Sequence, residues 1–178
     1  HDAGLLCVAI TGRPAGWCDH FARMWPVDGV VGENGGLYFR MKNGKLERRF
    51  RVDAETRAAN KLRLRAIEEE VLRTFPGAAL ASDQPYRELD LAIDFCEDVL
   101  PLPLEAVDAI QAIFEKHGAI AKISSIHVNG WFGEYDKLSM CRTYMEEVHG
   151  VELERERASF FFAGDSPNDE PMIAYFPN

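Results

Sequence analysis

The sequence predicts an α/β protein with a Rossmann-like parallel-sheet core that is interrupted by an inserted α/β lobe. Fully apolar segments of strand length stand near both ends of the chain, at residues 5–10 and 159–164. Such segments are typical of strands that are covered on both faces. Between them the pattern changes to a hairpin, alternating strands and two long helices. We therefore assign residues 1–37 and 132–178 to the core, and residues 38–131 to the lobe.

Composition restricts the classes of function. The chain has 178 residues and a net charge of −9, which argues against nucleic acid as a partner because phosphate backbones require a basic face. A small phosphorylated ligand needs only a few local cations and stays possible. No apolar run approaches the roughly 20 residues of a membrane span. The four cysteines form no CxxC pair, so we expect free thiols, no zinc site and a cytoplasmic protein.

The first elements read as strand, turn and helix. The apolar run at residues 5–10 ends at Thr11-Gly12-Arg13-Pro14, and aromatic residues then recur at helical spacing over residues 15–25. A short strand at 29–31 follows and ends in a glycine-rich turn.

The lobe begins with two short strands joined by Asn43-Gly44, a sequence typical of a two-residue hairpin turn. Asp53 is placed to cap the helix that follows. In chain order the remaining patterns predict a helix over 55–75, a strand over 87–95 with one face in solvent, a helix over 102–118, and one or two strands over 119–131. A helix over 137–149 then returns the chain to the core.

Three polar clusters lie where apolar strands end or helices begin, which is where open α/β sheets bind ligands. The first is Thr11-Gly12-Arg13. The Thr11 hydroxyl, the turn amides and the positive end of the next helix could hold a phosphate oxygen. The same residues also suit a plain strand–helix connection with Pro14 at the helix start.

The second cluster is Lys137 at the start of the helix 137–149. A cation at a helix N-terminus opposes the helix dipole, so its presence suggests an anion nearby. Alternatively, Lys137 points into solvent and Asp136 caps the helix and neutralises it.

The third cluster is the segment Gly-Asp-Ser-Pro-Asn-Asp that follows residues 159–163. Capping explains part of it, with Ser166 as the N-cap, Pro167 as the first helical residue and Asp169 as the third. Capping does not require Asp165, which we place at the tip of a buried strand. An unpaired charge there would be costly, and Mg²⁺ would satisfy it.

Taken together and in this order, the three clusters resemble the haloacid dehalogenase (HAD) superfamily of phosphohydrolases. The resemblance is to the branch with a large α/β cap, which includes sucrose-phosphate phosphatase. "VAITGRP", "EYDKLSM" and "FFAGDSPNDEPM" look like the second, third and fourth motifs of that branch, and "GENGG" matches a turn that often precedes its cap. The lobe 38–131 matches in size and placement more than in residues.

The resemblance implies a role for each residue. Thr11 and Gly12 would bind the transferring phosphoryl group, and Lys137 would neutralise its charge and that of the nucleophile. Asp165 would ligate Mg²⁺, Asp169 would support the metal shell, and Asn168 would contact phosphate. Substrate contacts would come from Arg13, with Asn34, Trp131 and the residues near Tyr38 as weaker candidates.

The family's first motif, an Asp-x-Asp pair on the first core strand, is absent from this chain. Its first aspartate is the nucleophile that covalent catalysis requires. Asp90 and Asp94 have a different spacing and lie in the lobe, and Asp2 has no strand before it. Residues 1–4 read like the tail of an earlier helix that ends at Gly4. We therefore expect a piece of a larger chain that is inactive alone.

The expected function is a Mg²⁺-dependent phosphatase for a small phosphorylated metabolite, with a sugar phosphate as the leading candidate. Two alternatives stay open: a phosphate-binding or regulatory protein without a nucleophile, and a phosphomutase of the same superfamily. A dinucleotide-binding domain fits poorly, because "GENGG" lacks the GxGxxG spacing and opens no helix. The substrate and the oligomeric state do not follow from the sequence.

Overall fold

The computed structural model describes residues 4–178, with the backbone alone at Pro167. The chain divides into two compact units. Unit 1 comprises the described residues up to Arg51 together with Tyr135–Asp165 and Asp169–Asn178, and unit 2 comprises Val52–Glu134 and Ser166–Asn168. The helix tail expected at residues 1–3 lies outside the described residues.

Strands and helices mix along the chain, as the α/β prediction requires. The strands are β1 (Val8–Ile10), β2 (Gly29–Gly32), β3 (Leu37–Lys42), β4 (Lys45–Phe50), β5 (Ala79–Leu80), β6 (Asp90–Asp94), β7 (Ile120–Ile123) and β8 (His127–Trp131). The helices are α1 (Ala15–Met24), α2 (Ala54–Thr74), α3 (Leu104–Lys116), α4 (Lys137–Tyr144) and α5 (Glu170–Tyr175), and a π-helical turn (Met145–His149) extends α4. In the described part of the chain, no helix is long and apolar enough to cross a membrane.

Unit 1 is built on a four-stranded sheet in the order β1-β2-β3-β4. β1 and β2 are parallel, with Ala9 opposite Val30, and the other pairs are antiparallel. The α4 residues Met140 and Tyr144 pack with Val31 and with Met172 of α5 in the core of this unit. The first three predicted core elements, β1, α1 and β2, are therefore confirmed.

The expected boundary between core and lobe at residue 37 is wrong. The hairpin β3–β4 turns at Asn43-Gly44 as predicted, but β3 pairs with β2 and so extends the unit 1 sheet. The change in composition reflects the exposed residues of β4, which stands at the edge of this sheet, and not the start of a new domain. The division falls after Arg51, and the return to unit 1 falls at Tyr135.

The strand expected at residues 159–164 is also not formed. Residues 160–165 have no strand partner among the described residues, although the Phe162 N–H donates to the Asn178 carbonyl at 3.1 Å, and Phe161 is 80% exposed. Asp165 is exposed and therefore does not end a buried strand. An apolar run becomes a strand only where a neighbour accepts its hydrogen bonds, and β1 pairs with β2 alone.

Unit 2 holds a second sheet in the order β5-β6-β8-β7, with antiparallel pairing throughout. Its core joins β6 residues Leu91 and Ile93 to α2 and α3 residues, among them Ile67, Val71, Ile110 and Phe114. Asp53 caps α2 as predicted, because its Oδ1 accepts the Thr56 N–H at 2.7 Å. Of the one or two strands expected over 119–131, two are formed, β7 and β8, and they pair antiparallel.

The face of β6 opposite Leu91 and Ile93 was expected to be in solvent, yet all five residues of the strand are buried. Arg87 covers this face with a guanidinium that donates to Asp90 at 2.9 Å and to Asp83 at 3.0 Å. Asn129 of β8 also reaches Asp90 at 3.4 Å. The polar face of β6 therefore contacts a buried ionic network, and not the solvent that the alternation of polar and apolar residues suggested.

Candidate phosphate-binding site

The loop Thr11–Arg13 leaves the end of β1 and is closed by its own hydrogen bonds. The Arg13 N–H donates to Thr11 Oγ1 at 3.0 Å, and the Thr11 N–H donates to the Val31 carbonyl at 2.9 Å. Two of the turn amides that we expected to face a phosphate are therefore engaged. In this bond the Thr11 oxygen acts as the acceptor, so the hydroxyl hydrogen is left to donate to another group.

The positive end of α1, which we expected to add to a phosphate site, already faces an anion. The Ala15 N–H, the first of α1, donates to Glu33 Oε1 at 2.8 Å, and the Glu33 side chain is fully buried. A carboxylate at this position satisfies a helix N-terminus that has no side-chain cap of its own. The sequence analysis gave Glu33 no role, and only its place in "GENGG" could have pointed to it.

The turn Glu33–Gly35 holds the Thr11–Arg13 loop from the side. The Glu33 N–H donates to the Arg13 carbonyl at 3.1 Å, and the Asn34 N–H donates to the Thr11 carbonyl at 3.3 Å. A Cβ atom at Gly12 would lie 3.0 Å from Asn34 Oδ1. Asn34 is 3% exposed, so in unit 1 it packs on the loop.

Lys137 is the first residue of α4 and is 7% exposed. This excludes the interpretation in which its side chain points into solvent. Asp136 caps α4 as expected, since its Oδ1 accepts the Ser139 N–H at 2.7 Å and Ser139 Oγ accepts the Asp136 N–H at 3.0 Å. Asp136 is committed to the cap, and another carboxylate neutralises the lysine.

That carboxylate is Asp169. Lys137 Nζ donates to Asp169 Oδ1 at 2.6 Å, and both residues are buried. Pro167 and Asp169 are the first and third residues of the 3₁₀ turn Pro167–Asp169, as the capping interpretation predicted, and α5 follows from Glu170. Asp169 makes no side-chain cap to α5, and its carboxylate is paired with Lys137 instead. Lys137 and Asp169 therefore form a buried ion pair within unit 1.

Gly164 and Asp165 lie five and four positions before Asp169 in the sequence. A Cβ atom at Gly164 would lie 2.8 Å from Asp169 Oδ2, so the backbone of this loop packs directly on the Asp169 carboxylate. Asp165 is exposed, and Asn168 lies in a short 3₁₀ turn, Pro167–Asp169.

The side chains near Asp165 decide whether the proposed Mg²⁺ site has enough protein ligands. Among the residues that the structure describes, no group of three or more His, Cys, Asp or Glu side chains could hold a metal ion. Mg²⁺, however, usually takes only one or two protein carboxylates and keeps water or substrate oxygens in its other positions. The exposed carboxylate of Asp165 has the oxygen chemistry that such a site needs.

The weaker substrate candidates fall into different environments. The Arg13 guanidinium lies over the Trp17 ring, 5.8 Å from its centroid. The Tyr38 hydroxyl donates to Glu147 at 2.8 Å, and burial together with this carboxylate raises the pKa of Tyr38 to about 12. Trp131 is a buried residue of unit 2. Unit 1 therefore brings together Thr11, Gly12 and Asn34, and separately Lys137 and Asp169.

Comparison with known proteins places the fold. No protein-family model matches the chain, and no curated protein matches it by sequence. Among solved structures, Thermoplasma acidophilum protein 0175 aligns with a TM-score of 0.69 at 19% identity, over 96% of this chain and 66% of its own. The trehalose-6-phosphate phosphatase C-terminal domain of C. albicans aligns with a TM-score of 0.65 at 13% identity, over 96% and 59%.

A third neighbour is the sucrose-phosphatase of Synechocystis sp. PCC6803, solved with sucrose and phosphate. It aligns with a TM-score of 0.62 at 13% identity, over 97% of this chain and 67% of its own. The chain thus spans about two thirds or less of the lengths of these structures. The structural neighbours include a sucrose-phosphatase and a trehalose-6-phosphate phosphatase domain, and this chain shares their fold, as the resemblance to the HAD branch with an α/β cap predicted.

Proposed function

We propose that this chain is the larger part of a Mg²⁺-dependent phosphatase that hydrolyses a small phosphorylated metabolite, with a sugar phosphate as the expected substrate. The observation that carries the proposal is the buried Lys137–Asp169 pair, 2.6 Å apart. A lysine ammonium is costly to bury without a partner, and at a helix start it also opposes the helix dipole. We take its position there to reflect a role in binding an anion. The fold shared with sugar phosphatases is consistent with this role.

Thr11, Gly12 and Lys137 would hold the phosphoryl group. The Thr11 hydroxyl would donate to one phosphate oxygen, and the backbone at Gly12 would lie beside it, with Asn34 filling the space that a side chain at Gly12 would take. Lys137 would stabilise the charge that grows on the phosphate oxygens in the transition state, which is the main requirement of phosphoryl transfer.

Asp165 would hold Mg²⁺, and Asp169 would orient its water ligands while it keeps Lys137 in place. The metal would supply additional neutralisation of the phosphate charge. We place Asp165 in this role because its carboxylate is exposed at the loop that packs on Asp169.

The nucleophile of the reaction, an aspartate that forms an aspartyl-phosphate, would come from outside these 178 residues. Unit 1 contains an apolar groove of about 290 Å³ in which such a strand could lie. Its lining includes Val8 and Ile10 of β1 and residues 160–163. An inserted strand could pair with the edge of the sheet at β1.

The proposal is tested with p-nitrophenyl phosphate and a panel of sugar phosphates, assayed with Mg²⁺ and with a chelator. The chain alone is expected to bind inorganic phosphate without turnover. The chain extended by its natural upstream segment is expected to release phosphate, to need Mg²⁺, and to lose about 100-fold or more of its rate in Asp165→Asn, the scale of one electrostatic contact to the transition state.

Two results would overturn the proposal. One is phosphate release that persists in the chelator or is unchanged in Asp165→Asn. The other is the absence of phosphate binding by the chain. Tight phosphate binding without turnover by the extended chain would instead support a binding or regulatory protein.

A further inference from the structure

We infer that the buried turn Glu33–Gly35 is the positioning element of the phosphate site, because it fixes the Thr11–Gly12 loop and the start of α4 relative to each other. This inference rests on the proposed function for the roles of Thr11, Gly12 and Lys137. None of the three turn residues needs to touch the substrate.

The turn has an unusual backbone. Glu33, Asn34 and Gly35 have φ values of 45°, 54° and 98°, so two consecutive non-glycine residues adopt the left-handed region. Such residues each cost on the order of 1–3 kcal/mol and persist only where the surroundings hold them, often at functional sites. Here the surroundings are tight, since Glu33 and Asn34 are 0% and 3% exposed.

One side of the turn Glu33–Gly35 contacts the Thr11–Arg13 loop, which follows β1. The two backbone bonds from Glu33 and Asn34 end on the carbonyls of Arg13 and Thr11, and Asn34 Oδ1 lies against Gly12. Glu33 Oε1 additionally holds the first amide of α1 at 2.8 Å. The loop is therefore fixed at both of its ends and at its centre.

The other side of the turn touches the start of α4. A Cβ atom at Gly35 would lie 2.0 Å from the Asp136 carbonyl oxygen and 2.8 Å from the Lys137 nitrogen. No side chain fits this contact, so glycine is required for packing as well as for its φ of 98°. Any group added here must push the Lys137 backbone away from the loop.

The test compares two Gly→Ala changes in unit 1. Gly35→Ala adds a methyl group against Asp136, whereas Gly150→Ala places one at a φ of 66° with nothing within 4 Å. Both changes impose the backbone strain of a positive φ, and only the first displaces α4. Inorganic phosphate affinity is measured by ³¹P NMR titration with Mg²⁺, at a temperature where circular dichroism shows each variant folded.

We expect both variants to lose stability and Gly35→Ala alone to lose phosphate affinity, by about tenfold or more, as when one charge-assisted contact is lost. Should Gly35→Ala fail to fold, Asn34→Gly is the second variant. It relieves backbone strain, removes the contact on Gly12, and is expected to stay folded with weaker phosphate binding.

Equal phosphate affinity in Gly35→Ala, Gly150→Ala and the unaltered chain would overturn the inference, as would an Asn34→Gly variant that binds normally. Absence of phosphate binding by the unaltered chain is a different result. It would refute the proposed function itself.

Discussion

Lys137 Nζ and Asp169 Oδ1 are 2.6 Å apart and buried, and they join the start of α4 to the residue that precedes α5. The sequence analysis gave both residues a role in phosphate chemistry but did not pair them. Removal of one member of a buried ion pair leaves the other charged and without its partner. The pair therefore links the stability of unit 1 to the chemistry proposed for it.

Lys137→Met is expected to lower the free energy of unfolding by about 3 kcal/mol, because it leaves the buried Asp169 carboxylate without this ammonium. The double variant Lys137→Met, Asp169→Asn should recover much of that loss, since its side chains carry no charge at either position. Urea unfolding followed by circular dichroism gives all the values. Additive losses in the double variant would show that the two residues are not coupled.

The Arg87 network predicts a similar cost in unit 2. Arg87→Met leaves Asp83 and Asp90 buried beside each other, and we expect a loss of about 3–5 kcal/mol. Lys61→Met is the matched control, because Lys61 and Glu88 form an exposed pair at 3.2 Å in the same unit. That change should cost about 1 kcal/mol or less. Similar values from urea unfolding of the two variants would contradict the importance of burial here.

His127 predicts a pH dependence of unit 2. Burial lowers the pKa of His127 and Arg87 lowers it further, against the opposing effect of Glu97, Asp83 and Asp94. The folded state then binds fewer protons than the unfolded state below the ordinary pKa of 6.5. Stability should be highest above pH 6.5 and fall as the pH drops below it.

The measurement is urea unfolding at several pH values from about 5 to 7.5, a range that brackets the titration of an unfolded histidine. His127→Gln should show a shallower fall of stability in this range because it has no imidazole to protonate. An unchanged slope in His127→Gln would assign the pH dependence to other groups.

The apolar groove predicts how the chain alone behaves. Its lining includes exposed Phe161, and unit 1 has further exposed aromatic residues at Trp17 of α1 and at Trp25, which directly follows α1. We expect broad melting, limited solubility and binding of a hydrophobic dye such as ANS. Phe161→Ser should reduce dye fluorescence, while Leu100→Ser, at an equally exposed leucine of unit 2, should not. A sharp cooperative melt without dye binding would contradict this expectation.

Local patterns predicted most of the elements because their causes are local. Asp53 and Asp136 cap the helices that they precede, and Asn43-Gly44 turns the hairpin with φ values of 51° and 73°. These features depend on hydrogen bonds between residues a few positions apart. The apolar spacing within α3 is also a property of one segment.

The failures concern contacts that the pattern within one element does not reveal. The run at residues 159–164 is apolar enough for a strand but has no strand partner among the described residues, and β6 alternates yet has Arg87, only three positions before Asp90, over its polar face. The hairpin β3–β4 was assigned to the lobe because its composition changes, although pairing with β2 decides its place. Glu33 was missed because its partner, the Ala15 amide, is 18 positions away.

The central claim is that Thr11, Gly12 and Lys137 form a phosphate site. The most direct test is a calorimetric titration of inorganic phosphate into the 178-residue chain, with and without Mg²⁺, and into Thr11→Val and Lys137→Met. Saturable binding that Mg²⁺ tightens, and that each variant weakens by about tenfold or more, is the predicted result. Absence of saturable binding, or equal affinity in all three proteins, would contradict the claim.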